Sequence, residues 1–161
     1  MTVVSSTKDP KALSFTIVSE LAAPPSRVWQ IWSDPRQLER WWGPPTWPAT
    51  FEDHKLVEGE NVSYFMTGPD GTKAAGWWIV TAVDEPRSLE FDDGFSHESG
   101  QPNHDMPTIK IRVGFEPIGA GTRMTITSTF ASVEEMDKLV TMGMVEGMTE
   151  ALGQIDGILA A

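Results

Sequence analysis

The chain contains no cysteine. Disulfides, thiolate zinc sites and thiol nucleophiles are excluded together. Tyrosine is almost missing as well, with one residue against seven tryptophans. Basic residues are scarce: 12 stand against 23 acids, a formal charge of −11. Phosphate is repelled by so acidic a chain, which makes nucleic acid and anionic membrane surfaces poor partners. No apolar run approaches the roughly 18 residues that a membrane-crossing helix needs. The opening segment Met1 to Lys11 is polar and lacks the apolar stretch of a signal peptide. A cytoplasmic location is the expectation.

What is present is an ordinary globular composition, 40% hydrophobic and 22% charged over 161 residues. That length fits one domain with a core of its own. Residues 1–12 read as a flexible arm and 13–161 as the domain. Ser14 to Leu21 alternates, with Phe15, Ile17 and Leu21 on one face, and reads as a strand. Ala23-Pro24-Pro25-Ser26 ends it. Val28, Trp29, Ile31 and Trp32 then recur at helical spacing. Pro35 starts a second short helix, with Asp34 placed to cap it and Leu38, Trp41 and Trp42 on it. Gly43-Pro44-Pro45 stops that helix.

Strand-like segments follow at Thr46 to His54, Asn61 to Thr67, Ala75 to Val83 and Ser88 to Asp92, separated by turns rich in glycine and proline. Gly94 to Met106 reads as a long polar loop. Pro107 to Phe115 and Thr122 to Phe130 alternate cleanly around Gly119-Ala120-Gly121, the pattern of a hairpin. Ser132-Val133-Glu134-Glu135 fits a capping box. Beyond it, Val133, Met136, Val140, Met144, Met148, Ala151, Ile155 and Ile158 share one face of a single amphipathic helix, about 40 Å long at about 1.5 Å per residue. The expected class is α+β: a curved seven-stranded antiparallel sheet wrapped around one long C-terminal helix, with two short helices after the first strand. Such a sheet cannot bury its inner face alone, and the helix supplies the cover. Between the two lies a space, open or plugged according to side-chain size.

Several of these segments resemble a known family. Val28-Trp29 with Trp32, Asp34-Pro35, Leu38 and Trp41-Trp42-Gly43-Pro44 is similar to the family of the heat-shock-protein-90 ATPase activator C-terminal domain, within the START-like (SRPBCC) helix-grip superfamily. Val83-Asp84-Glu85-Pro86-Arg87-Ser88-Leu89 fits the family's turn. Gly147-Met148-Thr149-Glu150-Ala151-Leu152 resembles its last helix, with Met148 where an aromatic residue is more usual. The resemblance spans about Leu13 to Leu159. It implies a helix-grip fold, and a superfamily of ligand carriers, cyclases and chaperone regulators.

Three functions follow as expectations. The preferred one is binding of a small apolar or aromatic molecule between sheet and helix, with Trp42, Phe65, Trp78, Phe91, Phe95, Phe115, Met124, Met144 and Met148 on the cavity wall. Methionine is flexible and polarizable, which suits varied apolar ligands. A chaperone-ATPase regulating module is the second. The third is a cyclase or aromatase type of enzyme, which needs one buried polar group with a shifted pKa. Glu52, Asp92, His97 and Arg112 are the candidates for that group. A binding role is preferred to a catalytic one, and no catalytic residue or cofactor is assigned. His97 and His104, with Glu98 and Asp105 beside them, match no zinc spacing, and no metal is expected. Gly143 and Gly147 read as points of close helix-on-sheet packing, or else as places where the helix is thinned for a ligand; packing is preferred. Trp77 and Trp78 are adjacent on a strand and must face opposite ways. The one on the outer face hints at a partner or a homodimer unless something covers it.

Overall fold

In the computed structural model, which describes residues 3–97 and 99–160, one eight-stranded antiparallel sheet carries the fold. Its spatial order is β1-β2-β8-β7-β6-β5-β4-β3. The strands are β1 (Val3–Asp9), β2 (Ser14–Leu21), β3 (Ala49–Asp53), β4 (Asn61–Thr67), β5 (Lys73–Asp84), β6 (Ser88–Phe95), β7 (Ile109–Ile118) and β8 (Gly121–Thr129). Helices α1 (Pro25–Ser33) and α2 (Pro35–Leu38) follow β2. The chain ends in α3 (Val133–Thr141), α4 (Met144–Leu152) and α5 (Ile155–Leu159).

The expected count of seven strands is corrected to eight. Val3 to Asp9, read as part of a flexible arm, is strand β1, paired antiparallel with β2. Met1 and Thr2 lie outside the described residues. An edge strand needs only backbone hydrogen bonds to one neighbour. Side chains of β1 beyond Val3 are exposed on both faces, so no apolar alternation marks it.

The single long helix is also corrected. Gly143 takes φ +93°, a left-handed conformation, and separates α3 from α4. A second interruption at Gly153 and Gln154 precedes α5. Ser132 caps α3 as expected, its hydroxyl accepting from the Glu135 amide at 3.1 Å. At the first helical pair, Asp34 caps α2 by accepting from the Arg36 amide at 2.9 Å. Trp41 and Trp42 fall in the turn just after α2.

Inward-facing residues of the sheet follow the period of two. Along β2 these are Phe15, Ile17, Ser19 and Leu21, and along β6 Leu89 and Phe91, all buried. The two ends of the helical segment are anchored on this face by buried Met136, Leu139, Leu152, Ile155 and Ile158. Arg27 of α1 donates to the Ile158 carbonyl at 3.3 Å, and Gln154 donates to the Gly43 carbonyl at 2.7 Å. Between those anchors Met144, Val145 and Met148 are only partly buried. The middle of the segment stands off the sheet.

Candidate functional site

That stand-off leaves a cavity of about 330 Å³. One wall comes from Leu139, Met142, Met144, Gly147, Met148, Ala151 and Leu152. Ile109, Ile111 and Ile126 form the sheet wall, and Trp32, Trp41, Trp42, Tyr64, Met66 and Phe95 close one end. Two titratable groups lie on the lining, Tyr64 and Asp93.

Those two touch. The Tyr64 hydroxyl donates to Asp93 Oδ1 at 2.8 Å. Tyr64 lies on β4 and Asp93 on β6, with β5 between them. Tyr64 pairs with Gly76 on β5, and Trp78, two residues along, pairs with Asp93. The phenol ring therefore crosses β5 at a position without a side chain. A Cβ at Gly76 would stand 2.4 Å from Tyr64 Cζ, far inside van der Waals contact. Glycine is what lets the ring lie flat enough to reach Asp93.

The aromatic end packs edge to face. Trp32 and Trp41 have ring centroids 4.7 Å apart, and Trp42 and Trp78 are 4.9 Å apart. Trp78 stacks on Phe91 at 4.0 Å. The Trp32 indole N–H reaches Met124 Sδ at 3.4 Å, and the Trp41 N–H donates to the Ile31 carbonyl at 2.9 Å. The buried N–H groups of Trp42 and Trp78 are different: among the described residues neither has an acceptor in hydrogen-bond geometry. Both lie close enough to the Tyr64–Asp93 pair to favour its ionised forms.

Burial dominates the titration of the pair. It pushes the Asp93 carboxyl up to about 7, partly opposed by the hydrogen bond from Tyr64. Asp93 keeps some accessible surface because it lines the cavity, yet protein surrounds it deeply enough for desolvation to win. Burial also drives the Tyr64 hydroxyl well above its ordinary value, and the neighbouring Asp93 charge adds to this. At neutral pH the cavity thus holds a neutral phenol beside a carboxyl group near its midpoint. His54 is a separate case. It contacts the Trp32 carbonyl at 2.9 Å, and burial lowers its pKa.

Of the residues expected on the wall, Trp42, Phe95, Met144 and Met148 line the cavity. The other five stand elsewhere. Phe65 is on the outer face of β4, with the Lys73 ammonium 4.4 Å from its ring centroid. Trp78 and Phe91 are buried in the stack behind Trp42. Phe115 meets Trp29 edge-on at 5.5 Å, towards α1. Met124 is fully buried under Trp32.

The four expected polar groups do not enter the cavity. Glu52 is exposed on β3. Asp92 and Arg112 point to the outer sheet face, where Asp92 pairs in register with Lys110 and Glu90 with Arg112. Opposite charges across neighbouring strands make this a solvated face. His97 and His104 are exposed, and Glu98 lies outside the described residues. Among the described residues, no three His, Asp or Glu side chains converge on a point where a metal ion would sit.

One further expectation is corrected. Gly143 and Gly147 are not close-packing points: a Cβ at Gly147 would meet nothing within 4 Å, and at Gly143 only the tip of Glu146. Trp77, the outward member of its pair, is half-buried. Its ring lies over Gly94, its N–H donates to the Phe95 carbonyl at 3.0 Å, and His104 packs at 6.5 Å.

Comparison with known proteins places this architecture. The model of the family described as "Activator of Hsp90 ATPase homolog 1-like protein" matches residues 22–160. The chain belongs to that family. A family relative from Arthrobacter aurescens, solved in solution by NMR, is 58% identical, with a TM-score of 0.95 over 99% of this chain and 92% of that one. The crystal structure of Ms6760 from Mycobacterium smegmatis is 49% identical, with a TM-score of 0.90 over 98% of this chain and 96% of that one. The AHSA1 protein of Silicibacter pomeroyi, at 22% identity and a TM-score of 0.73 over 91% and 97%, shares the fold. No curated protein matches the chain. Among the described residues no helix of the family fold here is long and apolar enough to cross a membrane.

Proposed function

We propose that this chain binds a small apolar or aromatic molecule in the cavity between the sheet and the C-terminal helical segment. The observation that carries this reading is the wall itself. Isoleucines, tryptophans and methionines surround a volume within the usual range of small-molecule sites, about 300–1,000 Å³. Burial of apolar ligand surface contributes roughly 25 cal/mol per Å² before ordering costs. Met142, Met144 and Met148 on the helical side adapt to ligand shape. Gly147 supports the same reading, since the helix is thinned where nothing packs against it.

Binding of naphthalene, measured by equilibrium dialysis and by the shift in melting temperature, tests this. Wild type is expected to bind it. Gly147→Leu, whose side chain fills the space, is expected to lose binding while keeping its fold. Absence of binding to wild type, or equal binding to G147L, would count against the cavity as a ligand site.

A catalytic reading is favoured by one observation, the buried Tyr64–Asp93 pair. A carboxyl group titrating near neutrality beside a phenol suits proton transfer on a bound ligand, as in a cyclase or aromatase. Regulation of a chaperone ATPase, the activity in the family's description, needs an exposed recognition face. Of the exposed large apolar residues, Met142 belongs to the cavity lining itself. The cavity is therefore placed first.

A further inference from the structure

Resting on the cavity-binding reading, we infer that the ligand is a neutral aromatic or apolar compound bearing a hydroxyl group, held at the Trp42–Tyr64–Asp93 end. The cavity is apolar along most of its length, but this end has unused hydrogen-bonding capacity of both kinds. Asp93 Oδ1 accepts from Tyr64, and the carboxyl group, with lone pairs beyond that one bond, lines the cavity. The Trp42 indole N–H is buried on the same wall without an acceptor. A carboxylate acceptor and a donor N–H thus belong to the lining of the same cavity. Leaving such groups unpaired is costly, and a ligand that pairs both recovers that cost.

The chemistry narrows the class. A carboxylate or phosphate ligand would face Asp93, the one acidic group of the lining among the described residues. An ammonium group would satisfy Asp93 and oppose the Trp42 N–H. An ether or a plain hydrocarbon leaves the carboxylate oxygen unmet. A hydroxyl donates to Asp93 and accepts from Trp42, and it still fits when Asp93 is protonated, because its oxygen then accepts instead. Sites built to bond a hydroxyl discriminate strongly against analogues lacking it.

The test compares 2-naphthol, 2-methoxynaphthalene, naphthalene and 2-naphthylmethylamine by equilibrium dialysis against wild type, Y64F/D93L and W42F. Wild type is expected to prefer 2-naphthol over naphthalene and over the methyl ether by about tenfold, the size of one buried hydrogen bond to a charged group. Y64F/D93L replaces both partners of the buried bond, so neither is orphaned. The readout is the ratio of 2-naphthol to naphthalene affinity within the variant, which is expected to fall to about one. W42F keeps an aromatic ring, removes the N–H, and is expected to reduce the preference. Equal wild-type affinity for 2-naphthol and naphthalene overturns the inference and leaves the cavity reading standing. So does tighter binding of the amine, which would make this a cation site. A preference that survives in Y64F/D93L also overturns it. Failure of all four compounds to bind wild type removes the cavity reading, and the inference with it.

Discussion

A methyl group at position 76 tests how tightly the polar end of the cavity is built. Gly76→Ala places a Cβ 2.4 Å from Tyr64 Cζ and its hydroxyl oxygen. A phenol ring is rigid, so it must leave its seat, and the bond to Asp93 breaks. The expected loss is about 1–3 kcal/mol, the usual range for overpacking a core, read as a lower midpoint of urea unfolding. Tyr64→Phe separates ring from hydroxyl. The hydrogen bond from Tyr64 holds the Asp93 carboxyl down against desolvation. Y64F is therefore expected to raise that carboxyl above about 7, followed by carboxyl-carbon NMR across a pH titration; a fall would contradict the assigned cause. Neither residue was legible as a site from sequence alone. Tyr64 reads as one more inward strand residue between Val62 and Met66. Asp93 is hidden because Gly94 looks like the start of a loop. The signal was there in part: Leu89, Phe91 and Phe95 keep a period of two through Asp93. What the sequence does not display is Trp77 filling the space over Gly94, which lets β6 run on to Phe95.

Strands with strong alternation were legible in the sequence, and the β7–β8 hairpin is the clearest case. So were α1 and α2, because proline and Asp34 mark their starts. The edge strand β1 was not, since its pairing is made by backbone groups alone. The break at Gly143 was not either. A single amphipathic stripe continues through Met144 and Met148, and periodicity does not register one left-handed residue inside it. The break and the glycine after it tell on the cavity. Gly147 lies within α4 and lines the space, with room for a Cβ. Gly147→Ala is expected to stabilise the protein by up to about 1 kcal/mol, through helix propensity. Gly143→Ala goes the other way: φ +93° is strained for any residue with a Cβ, and about 1–2 kcal/mol should be lost. Opposite shifts in melting temperature for two glycines four residues apart would distinguish conformation from packing. Equal shifts would refute the different roles assigned to them.

At the scale of the whole molecule, acidity and the buried carboxyl act on the same observable, stability against pH. Asp93 titrates near 7 in the native chain because burial disfavours its charge, and in the ordinary carboxylate range when unfolded. The native state therefore binds this proton more tightly. Its contribution is fully present below about pH 4 and is lost as pH rises to about 7, with a slope near 1.4 kcal/mol per pH unit. Other groups bend the same curve. His54, whose pKa burial lowers, adds stability as pH rises towards its ordinary value. Asp34, Asp70 and Asp84 are held low by hydrogen bonds, and they add stability with rising pH only in the acid range below about 4. Repulsion among the chain's 23 acids acts on any variant alike. Asp93→Asn mimics the protonated acid, can still accept from Tyr64, and leaves all of those contributions in place. The difference between D93N and wild type isolates Asp93. That difference is expected to grow in favour of D93N from about pH 4 to about pH 7 and to level off above, in urea unfolding at unit pH steps. A difference that stays constant over this window would mean that Asp93 is solvated in the native chain, and the cavity end would then be open to water rather than enclosed by the tryptophans.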